Sequence, residues 1–188
     1  MHQEIVFSGF GGQGALFAGQ VLTYAAMNAG WEVTWIPSYG PEMRGGTANC
    51  TVVISDEPIG SPIIRNPTVV VALNPESTDK YEPLVRSDGL LVINSTLVRR
   101  PVVRDDLDVL RVPANDLASE LGNVKMANVV MLRAMLCQRP IVSLGAVEKV
   151  LDEQLVGAKR RFIDPNKRAL VKGANYALVG QEHASPVG

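Results

Sequence analysis

Short apolar blocks alternate with helical-period blocks along most of this chain. Ile5 to Ser8 reads as a buried first strand. Leu16, Phe17, Val21, Leu22, Ala25 and Ala26 then recur at helical spacing and predict a helix from Gln13 to Ala29, stopped by Gly30. Glu32 to Ile36 predicts a second strand and Thr47 to Ser55 a third, with Pro37 to Gly46 as the loop between them. The fully apolar run Thr68 to Leu73 suits the centre of a parallel sheet, where neither face meets water. Asn74-Pro75 opens a helix to about Arg86, with Asn74 as cap and Pro75 in the first turn. Gly89 to Asn94 and Asp108 to Val112 are further strands. Helices follow from Asp116 to Leu121, from Lys125 to Gln138, from the cap Ser143 to about Val156, and from Asp164-Pro165 to an end before Gly173 or slightly beyond it.

Strands alternating with helices through the first two thirds predict an α/β fold. The sheet is expected to be doubly wound and mostly parallel, with a Rossmann-like glycine turn and a helical C-terminal third. The 188 residues, 46% of them hydrophobic, fit one α/β domain over 1–182, with 183–188 as a loose tail.

Charge and cysteine content narrow the function classes. A formal net charge of −1 gives no pull toward nucleic acid or membrane. Cys50 and Cys137 lie far apart with no C-x-x-C, which argues against a disulfide framework, a zinc site or a cluster. Both read as buried small hydrophobes. A reduced, cytoplasmic protein is expected. Met1-His2-Gln3-Glu4 lacks a basic region before an apolar one, so no signal peptide is expected, and no apolar run reaches the ~20 residues of a membrane span. His2 and His183 sit near the chain ends, poorly placed for proton transfer. Lys159-Arg160-Arg161, with Lys167, Arg168 and Lys172, reads as a solvated helix end, with docking of an acidic partner or phosphate as the alternative.

Two loops carry the candidate chemistry. Gly9-Phe10-Gly11-Gly12-Gln13-Gly14 joins the first strand to the first helix and brings bare backbone N–H groups to a helix start. Its letters fit G-x-G-x-x-G, but no acid stands at the end of strand two for ribose hydroxyls, and there is no G-K-[ST] for a P-loop. Dinucleotide binding, a purely structural turn, and phosphate binding or subunit contact remain open readings. The second loop, Pro37 to Gly46, combines rigid prolines and three glycines with Tyr39, Glu42 and Arg44. Arg44, flanked by Gly45 and Gly46, can present its fork to a phosphate or carboxylate. It follows strand two, so it is expected at the carboxyl edge of the sheet beside the glycine loop, where ligands bind. The chain thus shows a binding edge and no self-sufficient catalytic machinery.

The chain resembles the gamma subunit of the 2-oxoacid:ferredoxin oxidoreductases, the pyruvate, 2-ketoisovalerate and 2-oxoglutarate enzymes. The match is carried by Gly9 to Gly14 paired with Ser38 to Gly46, then by Ala72 to Ser77, Gly89 to Ser95, Val112 to Asn115, Glu120 to Asn123, and Asn128. The resemblance implies a complex that oxidatively decarboxylates a 2-oxoacid to its acyl-CoA and passes electrons to ferredoxin. Thiamine diphosphate, iron–sulfur clusters and coenzyme A would be its cofactors, none bound by this chain alone, with alpha, beta and ferredoxin-like delta subunits as partners. It implies that gamma serves assembly and coenzyme A access, and that the isolated chain can pair with itself. Gly9, Gly11, Gly12, Gln13, Gly14, Tyr39, Glu42, Arg44, Gly45 and Gly46 are the expected cofactor-binding positions, with no catalytic or metal-binding residue. Many relatives have valine at Met43 and glutamine at Pro75. A stand-alone dinucleotide-binding oxidoreductase is the alternative.

Overall fold

The computed structural model describes residues 1–39 and 47–182. Its strands are β1 (His2–Phe10), β2 (Glu32–Tyr39), β3 (Thr47–Ser55), β4 (Val69–Ala72), β5 (Leu90–Asn94) and β6 (Asp108–Val112). Its helices are α1 (Ala15–Asn28), α2 (Pro75–Tyr81), α3 (Ala114–Glu120), α4 (Ala127–Gln138), α5 (Leu144–Gln154) and α6 (Ile163–Glu182). The strands form one sheet in the order β2-β3-β1-β4-β5-β6.

The sheet is mixed. β4, β5 and β6 continue β1 in parallel, whereas β3 pairs antiparallel with both β1 and β2. Among the described residues β3 alone runs against the others, so the mostly parallel expectation holds except at the two ladders that β3 makes. Pairing with β3 also lengthens both neighbours. β1 runs on through Gly9-Phe10, and β2 takes in Pro37, Ser38 and Tyr39, which the sequence places in a loop. β2 is an edge strand, where a proline's missing N–H is tolerated.

The winding is lopsided. On one face Ile5, Phe7, Cys50, Val52, Ile54, Val69 and Val71 pack under α1 and the C-terminal helices in a single large core. On the other, Val6, Val70, Ala72, Leu91 and Ile93 are covered by Tyr81 of α2 and by Val85 and Val98 of the connecting segments. Trp31 and Trp35 are partly buried against the larger core.

Two helix ends depart from expectation. α2 stops at Tyr81 and tightens into a 3-10 turn over Glu82–Leu84, around Pro83. α6 does not stop at Gly173. It continues to Glu182, and a Cβ on Gly173 would strike the backbone carbonyl of Val130 in α4. That glycine serves close helix packing, not termination. Gly122, at φ 81°, does end α3, and Ser143 caps α5 through the Ala146 N–H at 3.2 Å. The basic run lies exposed on a 3-10 turn over Gly157–Phe162, while Lys167 pairs with Asp152 at 2.8 Å and Lys172 pairs with Glu120. His183 to Gly188 lies outside the described residues.

Cys50 is fully buried against the N-terminal half of α1, its Sγ filling the space a side chain on Gly19 would need. Burial pushes its thiol up to about 11. The raised value keeps Cys50 protonated at pH 8. Cys50 is therefore expected to resist an aromatic disulfide reagent in the folded chain and to react once urea unfolds it. Labelling at the rate of the half-buried Cys137 would refute this.

Candidate functional site

The register of the sheet brings the start of the glycine loop and the strand ends Tyr39 and Thr47 to one edge. Phe10, the last residue of β1, lies opposite Thr47, the first of β3, and Gly9 opposite Ala48. On the other side of β3, Tyr39 at the end of β2 also lies opposite Ala48. The glycine loop therefore leaves the sheet at the level where the chain departs after Tyr39 and returns at Thr47. Tyr39 itself is 66% exposed. Glu42, Arg44, Gly45 and Gly46 lie outside the described residues.

The four loop glycines differ in what holds them. A Cβ on Gly9 would lie 2.9 Å from Gln13 Oε1 and 3.0 Å from Leu73 Cδ1. Gly12 has φ 93° and Gly14 φ 80°, conformations that favour glycine. A Cβ on Gly14 would also strike the Asn128 side chain, whose Nδ2 donates to the Gly14 carbonyl at 3.0 Å. Gly11 has no positive φ and nothing within 4 Å of where its Cβ would stand. Gly11 and Gly12 are both exposed. Beside them α1 begins at Gly14 with no side-chain cap and no acidic residue in its first turn. The positive end of its dipole is thus left uncompensated by its own turn.

Gln13, expected to face a cofactor, points into the protein. Its Oε1 accepts from the Phe10 N–H at 2.7 Å and from Asn74 Nδ2 at 3.0 Å. Its Nε2 donates to the Leu73 carbonyl at 3.4 Å. That carbonyl also accepts from Asn94 Nδ2 at 3.2 Å, and the same nitrogen donates to Asn115 Oδ1 at 2.8 Å. Asn74 Oδ1 accepts the Ser77 N–H at 2.8 Å, and Asn94 Oδ1 the Ala114 N–H at 3.2 Å. Five amide and carbonyl groups thereby tie the ends of β1, β4 and β5 to the starts of α1, α2 and α3. Sequence reasoning placed Asn74 as a cap, which it is, but missed its second bond. The available signal was an asparagine directly after the apolar runs ending in Leu73 and Ile93.

The gap between β1 and β4 is where this topology changes direction, and there a doubly wound fold would seat a dinucleotide. Here Gln13 takes the space above Gly9, and β2 ends in Pro37-Ser38-Tyr39 without an acid. Among the described residues no cluster of His, Cys, Asp and Glu suits a metal ion. A cleft of about 510 Å³ lies elsewhere, lined by Asp79, Glu82, Pro83, Arg100, Val103 and Arg104, with Arg100 already engaged by Asp79 and Glu82 at 2.6 and 2.7 Å. No helix among the described residues is long and apolar enough to cross a membrane.

Known proteins resemble this chain in sequence and fold. The family described as pyruvate ferredoxin/flavodoxin oxidoreductase matches residues 4–176. The ketoisovalerate oxidoreductase subunit VorA of Methanothermobacter thermautotrophicus is 38% identical over 177 residues, which cover 93% of this chain but 36% of that protein. The chain thus spans about a third of that relative's length. A keto/oxoacid ferredoxin oxidoreductase gamma subunit from Geobacter sulfurreducens superposes with a TM-score of 0.81 at 31% identity, over 94% of this chain and 99% of its own. The 2-oxoglutarate:ferredoxin oxidoreductase of Magnetococcus marinus, solved with 2-oxoglutarate, coenzyme A and succinyl-CoA bound, gives a TM-score of 0.86 over 95% of this chain and 31% of its own; at 22% identity it supports the fold alone. By the match over nearly its whole length, the chain belongs to the pyruvate ferredoxin/flavodoxin oxidoreductase family.

Proposed function

We propose that this chain is the gamma subunit of a cytoplasmic, multi-subunit 2-oxoacid:ferredoxin oxidoreductase, serving assembly and coenzyme A access without carrying the catalytic centre. The observation that carries the reading is the open backbone at Gly11-Gly12, beside an uncapped helix start. Such a surface admits a phosphate-bearing group or another backbone at close range. Alpha, beta and ferredoxin-like delta subunits would bring the thiamine diphosphate and iron–sulfur clusters that decarboxylate the oxoacid and carry its electrons. The second loop supplies the remaining candidate positions, Tyr39, Glu42, Arg44, Gly45 and Gly46, and the guanidinium fork of Arg44 is the group suited to a phosphate. Without partners, exposed apolar side chains such as Val171 and Leu178 of α6 favour self-association.

Gly11→Arg separates this reading from a structural one. Gly11 has no internal neighbour to disturb, so the unfolding free energy of the isolated chain is expected to change by no more than a surface substitution does, about 0.5 kcal/mol. The same change is expected to reduce co-purification with the thiamine-dependent subunits, or coenzyme A affinity of the assembled complex, at least tenfold. A variant complex that assembles normally and binds coenzyme A as the parent does would refute the proposal.

A further inference from the structure

We infer that Asn74, Asn94 and Asn115 are positioning residues that set the shape of the glycine loop, acting through Gln13 from the far side of the sheet edge. The inference rests on the reading of that edge as a contact surface and deepens it. Gln13 links the loop to these asparagines. Its own N–H donates to the Phe10 carbonyl at 3.0 Å, and its Oε1 receives the Phe10 N–H, so one residue closes the turn from both sides. A glutamine side chain has three rotatable bonds and holds such a geometry only if its far end is pinned. Asn74 pins it. Asn74 is fully buried and divides its two amide atoms between two tasks, with Oδ1 capping α2 and Nδ2 holding Gln13. Asn94, also fully buried, shares the Leu73 carbonyl with Gln13 and is itself braced by Asn115. These groups sit where they polarise one another, and loss of one loosens the next.

Asn74→Ser is the separating test, because serine keeps a good cap for α2 and has no second group to reach Gln13. In the isolated chain, hydrogen exchange at the Phe10 and Gln13 amides is expected to quicken about five- to tenfold, the range one lost internal hydrogen bond allows. Exchange at Ser77 and Thr78 should stay near the parent rate. Asn115→Ala, at a half-buried site, should quicken the same two amides less, and Asn115→Asp, which keeps an acceptor for Asn94, should restore them. Unchanged exchange at Phe10 and Gln13 in both Asn74→Ser and Asn115→Ala would overturn the inference. The reading of the edge fails separately: if exchange quickens in Asn74→Ser while subunit assembly and coenzyme A affinity stay at parent levels, the relay stands and the edge is not the contact surface.

Discussion

Glu82→Ala is expected to remove about 3 kcal/mol of stability, the low end for breaking a buried, hydrogen-bonded ion pair. The Glu82 side chain is 4% exposed and Oε1 accepts from two backbone N–H groups, Val103 at 2.6 Å and Arg104 at 3.3 Å. Oε2 takes the Arg100 guanidinium at 2.7 Å. Alanine leaves those backbone donors without their acceptor and unfastens the segment that runs over the smaller core. Urea unfolding of the variant measures the loss; a change below about 1 kcal/mol, the value of one ordinary hydrogen bond, would show the latch to be decorative. The same carboxylate carries an acid signature. Burial works to raise its pKa, but the Val103 N–H, the Arg100 guanidinium and the Arg104 N–H outweigh it and hold it below the usual 4.5. A carboxylate lowered on folding contributes stability above its unfolded pKa and loses it as pH falls through the folded one. Glu82→Gln should therefore flatten the stability profile below pH 4.5, and an unchanged acid limb would count against that sign.

Gly173→Ala is expected to destabilise the chain by up to about 2 kcal/mol net. Alanine is the better helix former by about 1 kcal/mol, so on an exposed helix this substitution would stabilise. At Gly173 the nearest atoms to an added Cβ are the carbonyl oxygen, carbonyl carbon and Cα of Val130, all backbone. No side-chain rotation relieves such a contact, and overpacking of this kind costs about 1–3 kcal/mol, occasionally more. For a chain of this length the melting temperature should fall about 2–4 °C for each kcal/mol. A rise in melting temperature would mean that α4 and α6 separate more easily than their packing indicates.

Strand positions were legible because a buried strand needs a short apolar run whatever its direction. Direction was not legible at Thr47 to Ser55. That segment is buried or nearly so on both faces, as a parallel strand would be, and nothing local distinguishes the two. Gly173 was misread for a related reason. A glycine after a periodic run is the ordinary signal of a helix end, and only the approach of Val130, 43 residues earlier, gives it another meaning. The glycine loop was legible as a motif, but the division of labour within it was not. The internal bonds of Gln13 were not legible because its partners Leu73 and Asn74 lie 60 and 61 residues away in sequence.

The reversed strand β3 also fixes a dimension. Because it stands between β1 and β2, Gly9 and Tyr39 are separated by two strand spacings, about 9.5 Å. A lone phosphate or a short acid is too small to touch both strand ends at once. An elongated group, such as a pyrophosphate with its nucleoside or an extended stretch of peptide, has the length to bridge them. An occupant that touches both strand ends is therefore selected by reach before charge.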